Sequence, residues 1–561
     1  MSETKNRPAV ANLPMIVLLL GPCLLYFAIL SSNRFGGYHD DGIYVTTAKS
    51  IAEGRGYRII SLPYEPAQTK YPPFYPFLLS LIWRVHPHFP QNLIPMFLLS
   101  LVATLAFLVL VRRYLLSQGY ATPWQALIVV ALSAINWRTM ILATSIYSEM
   151  VYAALSVAGL YLAEKYEKKQ KSLVAGLILG TVLGLVFLTR TSGLALLAAV
   201  AAYYALRRQW KKFLLPVSVG IAFVVGWIGW CYLNKTTVEG MNVAYYTSYL
   251  GHLNQVINDT QLHSGASRLT IFLSIVFENL IGGIVIAVPL ICSGINYSWI
   301  PGLGGPILLV AFFFLLFTLL LIGLGFVRSL SSGFGLLHFY VLASLGLYLF
   351  WLPDVSYDRF LMPLLPFLLL FLVRELWTLI GVARTGLVAN TQLPKKLGGA
   401  FIVLLVFGSI SIGLCSYGSG IYWSLASLEK SASRAAEDTE NIKWIKANTE
   451  SSDVLVCYRD PLYFLHTDRR AVRSFPMRAG TSWDEEGAAP NDLATLIFEL
   501  LDESNGRYMI LTSTDLELED QPDQHRKILG KVIERYPQKF TLVFQSTDGR
   551  SRIYRIERDS R

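Results

Sequence analysis

The chain alternates between long apolar runs and short polar segments for most of its length. The first run extends from Leu13 to Ser31, close to the 20 or so residues with which a helix crosses a bilayer. A polar segment, 32–92, follows it. Further apolar runs cover 93–111, 124–137, 147–163, 173–188, 192–206, 213–233, 306–327, 336–352, 360–380 and 398–417. This pattern predicts a mainly α-helical, polytopic membrane protein with about 11–13 transmembrane helices.

One apolar run does not fit the pattern of simple spans. The run 271–292 contains Glu278 and Asn279 within its apolar residues. Three interpretations remain open for it: an interfacial segment, a re-entrant segment or a split pair of spans.

Composition supports a membrane protein and excludes other classes. Of the 561 residues, 53% are hydrophobic and only 15% are charged, whereas soluble domains carry about 25% charged residues. The net charge of +10 is modest for this length and no nucleic-acid motif accompanies it, so no nucleic-acid partner is expected. The five cysteines lack paired spacing, which argues against a disulfide framework and a Cys-x-x-Cys metal site.

The basic loops predict the orientation of the chain. If the N-terminus is cytoplasmic, the short loops rich in Lys and Arg all fall on the cytoplasmic side; they contain Arg112 and Arg113, the lysines of 165–171, the cations of 207–212, Arg328, and the cations of 384–396. This holds only if 271–292 does not cross an odd number of times. The external segment 32–92 nevertheless carries Arg34, Lys49, Arg55, Arg58, Lys70 and Arg84, and an anionic ligand is one reason for such an exception.

A change in composition divides the chain near residue 423. Residues 1–423 are predicted to form the membrane domain, and residues 424–561 a soluble α/β domain on the external side. Within the second domain, VLVCY, YMILTS and FTLVFQ have the pattern of buried strands. Helical patterns such as ENIKWIKANT and LATLIFELLDE accompany them.

The external segment predicts two helices with charged residues beside them. Asp40 or Asp41 is a suitable N-cap for a helix that Gly54 and Gly56 end. Lys70 stands just before Tyr71, Pro72 and Pro73, which start a second helix with an apolar face suited to the membrane interface. The acid pair is open to a simple structural interpretation as a cap that interacts with the helix dipole.

Several motifs occur in an order that resembles a known enzyme family. The motifs are HDDGIYVTTAKSIAEGRGY, TKYPPFYPFLL, SIYSEMVYAAL, FLTRTSGLALLAA, YDRFLMPLLPFLLL and NIKWIKANT. They resemble glycosyltransferase family 39 and its bacterial relatives, the protein O-mannosyltransferases and aminoarabinose transferases, which have the GT-C architecture. The resemblance implies a sugar donor linked to a polyprenyl or dolichyl phosphate, and transfer with inversion to an acceptor hydroxyl on the external face. Lipid, protein and polysaccharide acceptors all fit. The membrane lipids are a further expected partner.

The resemblance also implies roles for particular residues. Asp40 corresponds to the general base of the family, and Asp41 to a supporting acid, a cap or a metal ligand. Lys70 corresponds to the lysine that binds the donor phosphate. Further candidates for binding the donor phosphate or sugar are Tyr71, Glu149 and Arg359.

Each of these candidates has an ordinary structural alternative. Lys70 is long enough to reach lipid headgroups. Arg359 has Asp354 and Asp358 as potential partners in the sequence, and Glu149 lies at the water boundary, where ionisable groups are less unusual. Arg190, in the turn between two apolar runs, is predicted to face outward, where neighbouring carbonyls are able to satisfy its charge.

The chain departs from the aminoarabinose transferases at Thr69. Those enzymes have a glutamate before the lysine, and Thr69 supplies no carboxylate, so a hexose or pentose donor is expected rather than an amino sugar. No cofactor is predicted. Asp40 and Asp41 are oxygen ligands that a divalent metal accepts, but adjacent residues at a helix start do not easily share one ion, so metal-independent chemistry is favoured.

Two functions of other classes remain as alternatives. The first is a transporter or flippase of lipid-linked anions, although such proteins more often have internal repeats and broken spans near the midplane. The second is a non-catalytic membrane scaffold, which leaves the acid pair and Lys70 unexplained. The location expected in all cases is the plasma (inner) membrane, with the acid pair and the soluble domain on the external, periplasmic side.

Overall fold

A computed structural model of the chain describes residues 13–37, 39–168, 172–235, 246–296, 304–331, 333–351, 357–388, 393–474, 490–515 and 524–557. The first half consists of helices α1 (Leu13–Ile29), α2 (His39–Ala52), α3 (Phe74–Val85), α4 (Leu93–Ser117), α5 (Pro123–Ile135), α6 (Trp137–Ala143), α7 (Glu149–Lys168), α8 (Leu173–Thr189), α9 (Leu194–Leu206) and α10 (Trp210–Leu233).

Helices also dominate the middle of the chain. They are α11 (Tyr249–Ser264), α12 (Arg268–Ser293, with a π-helical stretch at Asn279–Ile286), α13 (Gly305–Leu330), α14 (Leu336–Leu349), α15 (Tyr357–Leu361), α16 (Leu365–Val388) and α17 (Leu393–Asn448). Within the described ranges, six helices are long and apolar enough to cross a membrane, and the bent pair α5–α6 brings this to seven if it counts as one span. Shorter apolar helices accompany them, including α8, α9 and α14. The polytopic membrane architecture is therefore confirmed, whereas the exact number of spans stays a prediction.

The helix bundle has two chemically different ends. At one end, Lys168 donates to Gln118 at 2.6 Å, and Arg207 pairs with Glu167 at 3.0 Å and also reaches the Phe334 carbonyl. Four of the loops predicted to be cytoplasmic, those near residues 118, 168, 207 and 334, thus lie together at this end, called here the basic end. Asp40 and the other candidate residues lie at the opposite end, called here the site end.

The segment 271–292, for which the sequence left three interpretations open, belongs to α12 and contacts the site end of the bundle. Phe272 stacks on Phe350 at the end of α14, and the Asn279 amide donates to the Leu349 and Trp351 carbonyls. Nineteen residues after Phe272, the Ile291 carbonyl accepts from Asn136, which lies between α5 and α6. Because all of these contacts are with the same ends of neighbouring helices, α12 runs along the site end without reaching the basic end. The orientation predicted from the basic loops stays a prediction.

The C-terminal part forms a mixed sheet with helices around it. Its elements are β1 (Val454–Cys457), α18 (Asp460–Thr467), β2 (Ala471–Arg473), α19 (Pro490–Ser504), β3 (Gly506–Leu511), α20 (Gln524–Arg535), β4 (Phe540–Gln545) and β5 (Arg552–Ile556). The strand order is β2-β1-β3-β5-β4, with β1 parallel to β2 and β3, and β5 antiparallel to β3 and β4. The three predicted strands are present, while β2 and β5 were not predicted.

One helix joins the two predicted domains. The last span is predicted to end near Tyr417 and the domain boundary to lie at residue 423; α17 runs through both positions without a break, from Leu393 to Asn448, and the boundary stays a prediction. The segment ENIKWIKANT, predicted to be helical, provides the last turns of this helix. A continuous helix is stiffer than a polar linker, so the soluble domain is carried at a fixed position over the site end.

Most cations of the external segment have partners inside the protein. Lys49 pairs with Asp468 at 2.9 Å, Arg34 donates to the Ser424 carbonyl and the Ser427 hydroxyl, and Arg55 pairs with Glu65. An anionic ligand is therefore not needed to explain these three cations. Two of them hold the soluble domain or the helix that carries it, a contact that no local sequence pattern reveals.

The packing of α13 against α16 gives a first testable result. A Cβ added at Gly325 would lie 2.3 Å from the backbone oxygen of Phe371, and backbone cannot move aside as a side chain can. We expect Gly325→Ala to lower the free energy of unfolding in detergent by about 1–3 kcal/mol. Gly323→Ala is the matched control on the same helix, because no atom lies within 4 Å of its Cβ position. Equal unfolding temperatures for the two variants would contradict this packing.

Candidate active site

The candidate site begins where the chain turns from α1 into α2. Gly36 has a φ of +74°, a conformation that favours glycine and lets the chain reverse direction there. Its N–H donates to Asp41 Oδ2 at 2.9 Å, and the Gly42 N–H donates to Oδ1 at 2.6 Å. Asp41 therefore organises the turn and the first residues of α2. Asp40 occupies the position directly before Asp41.

Asp40 is the central carboxylate of the site. Its Oδ1 accepts from the Tyr71 hydroxyl at 2.7 Å, and its Oδ2 accepts from Arg359 Nη2 at 2.9 Å. Burial alone would raise the pKa of Asp40, but Arg359, Tyr71 and the nearby Lys70 favour the charged form and hold this pKa well below its usual range. Asp40 is thus an ionised carboxylate that keeps about a quarter of its side chain, 24%, open to solvent.

A second carboxylate joins two arginines behind Asp40. Glu149, the first residue of α7, is almost completely buried. Its Oε1 accepts from Arg359 Nε at 2.7 Å and pairs with Arg190 Nη1 at 3.0 Å. Arg190 follows α8 and also donates to the Ser148 hydroxyl, which is bonded to Tyr44 of α2. Asp40, Arg359, Glu149 and Arg190 therefore form one continuous charged cluster.

Lys70 and Tyr71 complete the site from the segment between α2 and α3. Lys70 is buried, and its Nζ lies 5.3 Å from the centre of the Tyr249 ring and 5.7 Å from that of Tyr71. The Gln68 side chain accepts from the backbone N–H groups of Lys70 and Tyr71. Lys70 therefore points into an aromatic environment beside Asp40 rather than outward along the surface, and snorkelling to headgroups does not describe it.

Asp41 occupies a different environment from its neighbour. Burial raises the pKa of Asp41 to about 7, although the two backbone N–H groups that it accepts from oppose the shift. Both of its oxygens are already bonded to the turn. The N-cap predicted at Asp40 or Asp41 is therefore wrong, because α2 begins at His39 and both acids lie within its first turn. Asp41 holds the turn that precedes the helix, and its catalytic assignment stays a prediction.

The bundle brings together all the candidate residues that the sequence suggested. The Arg359 guanidinium does not pair with Asp358, the neighbour proposed as its alternative partner: Asp358 pairs with Arg138 and accepts only the backbone N–H of Arg359. Asp354, the other proposed partner, lies outside the described residues. Thr69 donates to the Thr247 carbonyl at 2.6 Å and so contributes to the packing of the site wall.

Within the described part of the chain, a small and a larger cavity lie beside the site. A small one beside Tyr44, Tyr71, Arg190 and Tyr249 has a volume of only about 10 Å³, enough for one water molecule. A larger apolar one of about 470 Å³ lies between α8 and α10, lined by Tyr57, Pro73, Leu188, Ala222, Phe223, Gly226, Trp227 and Trp230. Trp230 donates to the Gln68 carbonyl, which connects the wall of the larger cavity to the segment that carries Lys70.

Sequence reasoning missed three kinds of site residue. Arg138 and Asp358 form a pair beside Arg359, and a cation at the broken end of an apolar run was the available signal for Arg138. The partner of Arg190 was missed: Arg190 pairs with Glu149 instead of backbone carbonyls, and its predicted outward direction stays a prediction. His39 bonds Asp460, a residue 421 positions away, and nothing in the local pattern announces that contact.

Metal binding has limited support from the geometry. Within the described ranges, no group of three or more His, Cys, Asp or Glu side chains is arranged to hold a metal ion. Asp40 and Asp41 direct their oxygens to different partners, as described above. Metal-independent chemistry stays a prediction.

Comparison with known proteins identifies the fold. No family model matches the sequence, and no curated protein matches it. Among solved structures, ArnT from Cupriavidus metallidurans bound to undecaprenyl phosphate is similar, with a TM-score of 0.52 and 12% identity over 96% of this chain and 97% of that chain.

Two structures of the Archaeoglobus fulgidus oligosaccharyltransferase are similar as well, each at 12% identity. The one tethered to an acceptor peptide has a TM-score of 0.52 over 98% of this chain and 74% of that chain. The one with an inhibitory peptide and a dolichol-phosphate has a TM-score of 0.50 over 96% and 73%. ArnT and this oligosaccharyltransferase are both GT-C glycosyltransferases. The chain therefore has the fold of the GT-C integral-membrane glycosyltransferases.

Proposed function

We propose that the protein is a membrane glycosyltransferase that moves a sugar from a polyprenyl phosphate to an acceptor hydroxyl. The observation that carries the proposal is the Asp40 carboxylate held by Tyr71 and Arg359, with Lys70 beside it, at one end of a GT-C fold. Similar structures contain undecaprenyl phosphate or a dolichol-phosphate, which agrees with a donor of this chemical class. The reaction is proposed for the external face of the plasma (inner) membrane.

The proposed chemistry is a single displacement with inversion. The acceptor oxygen forms a bond to the anomeric carbon while the bond from that carbon to the phosphate oxygen breaks, and the bonding electrons leave with the phosphate. Asp40 takes the proton of the acceptor hydroxyl as general base. Lys70 and Arg359 stabilise the negative charge that grows on the departing phosphate.

The low basicity of Asp40 in the present arrangement suggests how the donor enables the reaction. A carboxylate bonded to a guanidinium is a weak base, because the ion pair favours its charged form. A donor phosphate that competes for Arg359 and Lys70 would remove part of this stabilisation. Asp40 would then become more basic when the donor is bound, which is the state in which a base is required.

The donor lipid is proposed to occupy the larger cavity. The cavity is apolar, and it contains Pro73, three residues after Lys70. A lipid chain in this cavity would carry its phosphate toward Lys70. The smaller cavity holds no sugar at its present volume, so donor binding requires the side chains of Tyr71 and Tyr249 to move apart.

The donor sugar and the acceptor are proposed by chemical class. Thr69 offers no carboxylate to an amino sugar, and its hydroxyl is bonded to Thr247, so a hexose or pentose donor is proposed. Acceptors with a hydroxyl at the membrane surface fit the position of Asp40, whether lipid, protein or polysaccharide.

Binding of the phosphate depends on Lys70 in this proposal. We expect Lys70→Met to weaken the binding of undecaprenyl phosphate to the purified protein by about 10- to 100-fold, since a hydrogen bond to a charged group contributes about 1.5–3 kcal/mol. Lys443→Met, at an exposed lysine of α17, is the matched control and should bind as the wild type does. Unchanged affinity in Lys70→Met would remove Lys70 from the donor site.

The function itself is tested with labelled donors. Membranes that contain the wild-type protein are incubated with a set of polyprenyl phosphates carrying labelled hexoses or pentoses, and label in lipid, protein and polysaccharide fractions is measured. We expect transfer from at least one donor, and none in membranes that lack the protein. Absence of transfer from every donor would overturn the enzyme proposal.

A further inference from the structure

Asp460 of the soluble domain reaches into the site from outside the helix bundle. It is the first residue of α18 and is completely buried. Its two carboxylate oxygens bond residues from two different segments of the membrane domain. These two contacts connect the soluble domain with the start of α2 and with the segment that contacts Lys70, and the rings of His39 and Tyr246 themselves lie 5.4 Å apart.

The first contact holds the start of α2. Asp460 Oδ1 lies 2.7 Å from His39 Nε2, so the protonated nitrogen of His39 donates to this carboxylate. His39 directly precedes Asp40 in the first turn of α2. A shift of His39 would therefore move the Asp40 carboxylate relative to Tyr71 and Arg359.

The second contact holds the segment that faces Lys70. Tyr246 donates its hydroxyl to Asp460 Oδ2 at 3.1 Å. The next residue, Thr247, accepts the Thr69 hydroxyl, and the ring of Tyr249 lies beside the Lys70 ammonium. Asp460 is thereby linked to Lys70 through a short stretch of chain.

The packing of α18 on α2 leaves little freedom for these contacts. A Cβ at Gly42 would lie 2.6 Å from Pro461, and one at Gly36 would lie 3.0 Å from Leu462. Lys49 and Asp468 form an ion pair at the far end of the same contact. The start of α18 therefore packs on Gly42 of α2 and on Gly36 in the turn before it, which allows Asp460 to lie close to His39.

We infer that Asp460 is a positioning residue that fixes the proposed general base and the lysine wall of the site relative to each other. This inference rests on the proposed function for its effect on catalysis. It also assigns a role to the soluble domain, which completes the site through one carboxylate.

The test compares buried aspartates of the same domain. Asp460→Asn is expected to lower kcat for transfer by about 10- to 100-fold, because a misplaced reacting group costs about that much. Asp515→Asn is the control: Asp515 is also buried in the soluble domain, and it pairs with Arg459 and accepts from the Thr512 backbone N–H, both residues of that same domain. It is expected to lower the unfolding temperature while kcat per folded molecule stays at the wild-type value.

A conservative pair of substitutions separates positioning from general stability. His39→Leu removes the donor to Asp460 and should lose activity as Asp460→Asn does. His39→Gln places an N–H near the position of Nε2 and should recover most of that loss. Loss of equal size in both His39 variants would contradict the proposed contact.

Hydrogen–deuterium exchange gives a readout that does not depend on transfer. In Asp460→Asn, amide exchange should become faster both in residues 39–44 and in residues 246–250. In Asp515→Asn, amide exchange in these two segments should stay at the wild-type rate. Unchanged exchange in both segments, or wild-type kcat in Asp460→Asn, would overturn the inference. Absence of transfer in the wild type would instead count against the proposed function, while the exchange result would still decide whether Asp460 holds the two walls.

Discussion

Asp40→Asn is expected to lower the rate of sugar transfer by about 10²- to 10⁴-fold, the usual contribution of a general base. Asparagine keeps the size of the side chain and accepts from Tyr71 or Arg359, but it takes no proton from an acceptor hydroxyl. The binding of undecaprenyl phosphate should persist, because Lys70 and Arg359 remain. The measurement is the transfer rate at saturating donor, together with lipid affinity and the unfolding temperature.

A control aspartate on the surface makes this result specific. Asp468 is largely exposed, with 74% of its side chain accessible, and it pairs with Lys49. Asp468→Asn changes the same chemical group in the external part of the protein and should retain most of the activity. A stably folded Asp40→Asn variant with wild-type transfer would refute the assignment of Asp40 as the base.

Glu149→Gln is expected to have the largest effect on stability, lowering the free energy of unfolding by about 3–5 kcal/mol. Glu149 is buried between Arg190 and Arg359, which lie at 3.0 and 2.7 Å from its Oε1. Glutamine preserves the shape and one acceptor oxygen but leaves two guanidinium groups without their shared negative charge. Breaking a buried ion pair on one side is costly for this reason.

The comparison for Glu149 is an exposed ion pair in the external segment. Glu53 lies 3.8 Å from Arg55, and both side chains are more than a third exposed. Glu53→Gln should change stability by about 0–1 kcal/mol. Thermal unfolding in detergent measures both variants, and a Glu149→Gln protein as stable as Glu53→Gln would show that the charged cluster is not a structural requirement of the site.

Much of the membrane domain was predictable because local patterns determine it. Apolar length, basic loops and the glycine and proline signals specified α1, α2 and α3, since each depends on residues close together in the chain. Gly54 and Gly56 follow the end of α2 at Ala52, both with the positive φ expected of a helix stop. The candidate residues Asp40, Lys70, Tyr71, Glu149 and Arg359 were found through motifs of the same local kind.

The features that escaped prediction depend on contacts between distant parts of the chain. An apolar face suited to the membrane interface was predicted for α3, and Phe77 and Leu81 are exposed; the helix also buries Tyr75, Leu79 and Trp83 in the protein, which was not predicted. A face suited to lipid and a face suited to a protein core have the same hydrophobic pattern. Likewise, Lys49 forms an ion pair with Asp468, a residue far away in the sequence, and no local pattern predicts that contact.

The site illustrates the same division. Motifs indicate which residue types are present, but the pairing of Arg359 with Asp40 and Glu149 joins residues 319 and 210 positions apart. Sequence proximity favoured Asp354 and Asp358 as partners of Arg359. Spatial proximity instead gives Asp358 to Arg138, which leaves Arg359 between the two carboxylates of the site.

The most direct test of the central claim follows the donor and its products in sealed vesicles. The purified protein is reconstituted with a labelled polyprenyl phosphate sugar and acceptor, and free polyprenyl phosphate and glycosylated acceptor are measured over time. The proposed reaction predicts that the two products form in a one-to-one ratio and that Asp40→Asn forms both of them about 10²- to 10⁴-fold more slowly. Movement of intact donor between leaflets with no release of polyprenyl phosphate would contradict the enzyme and identify a flippase.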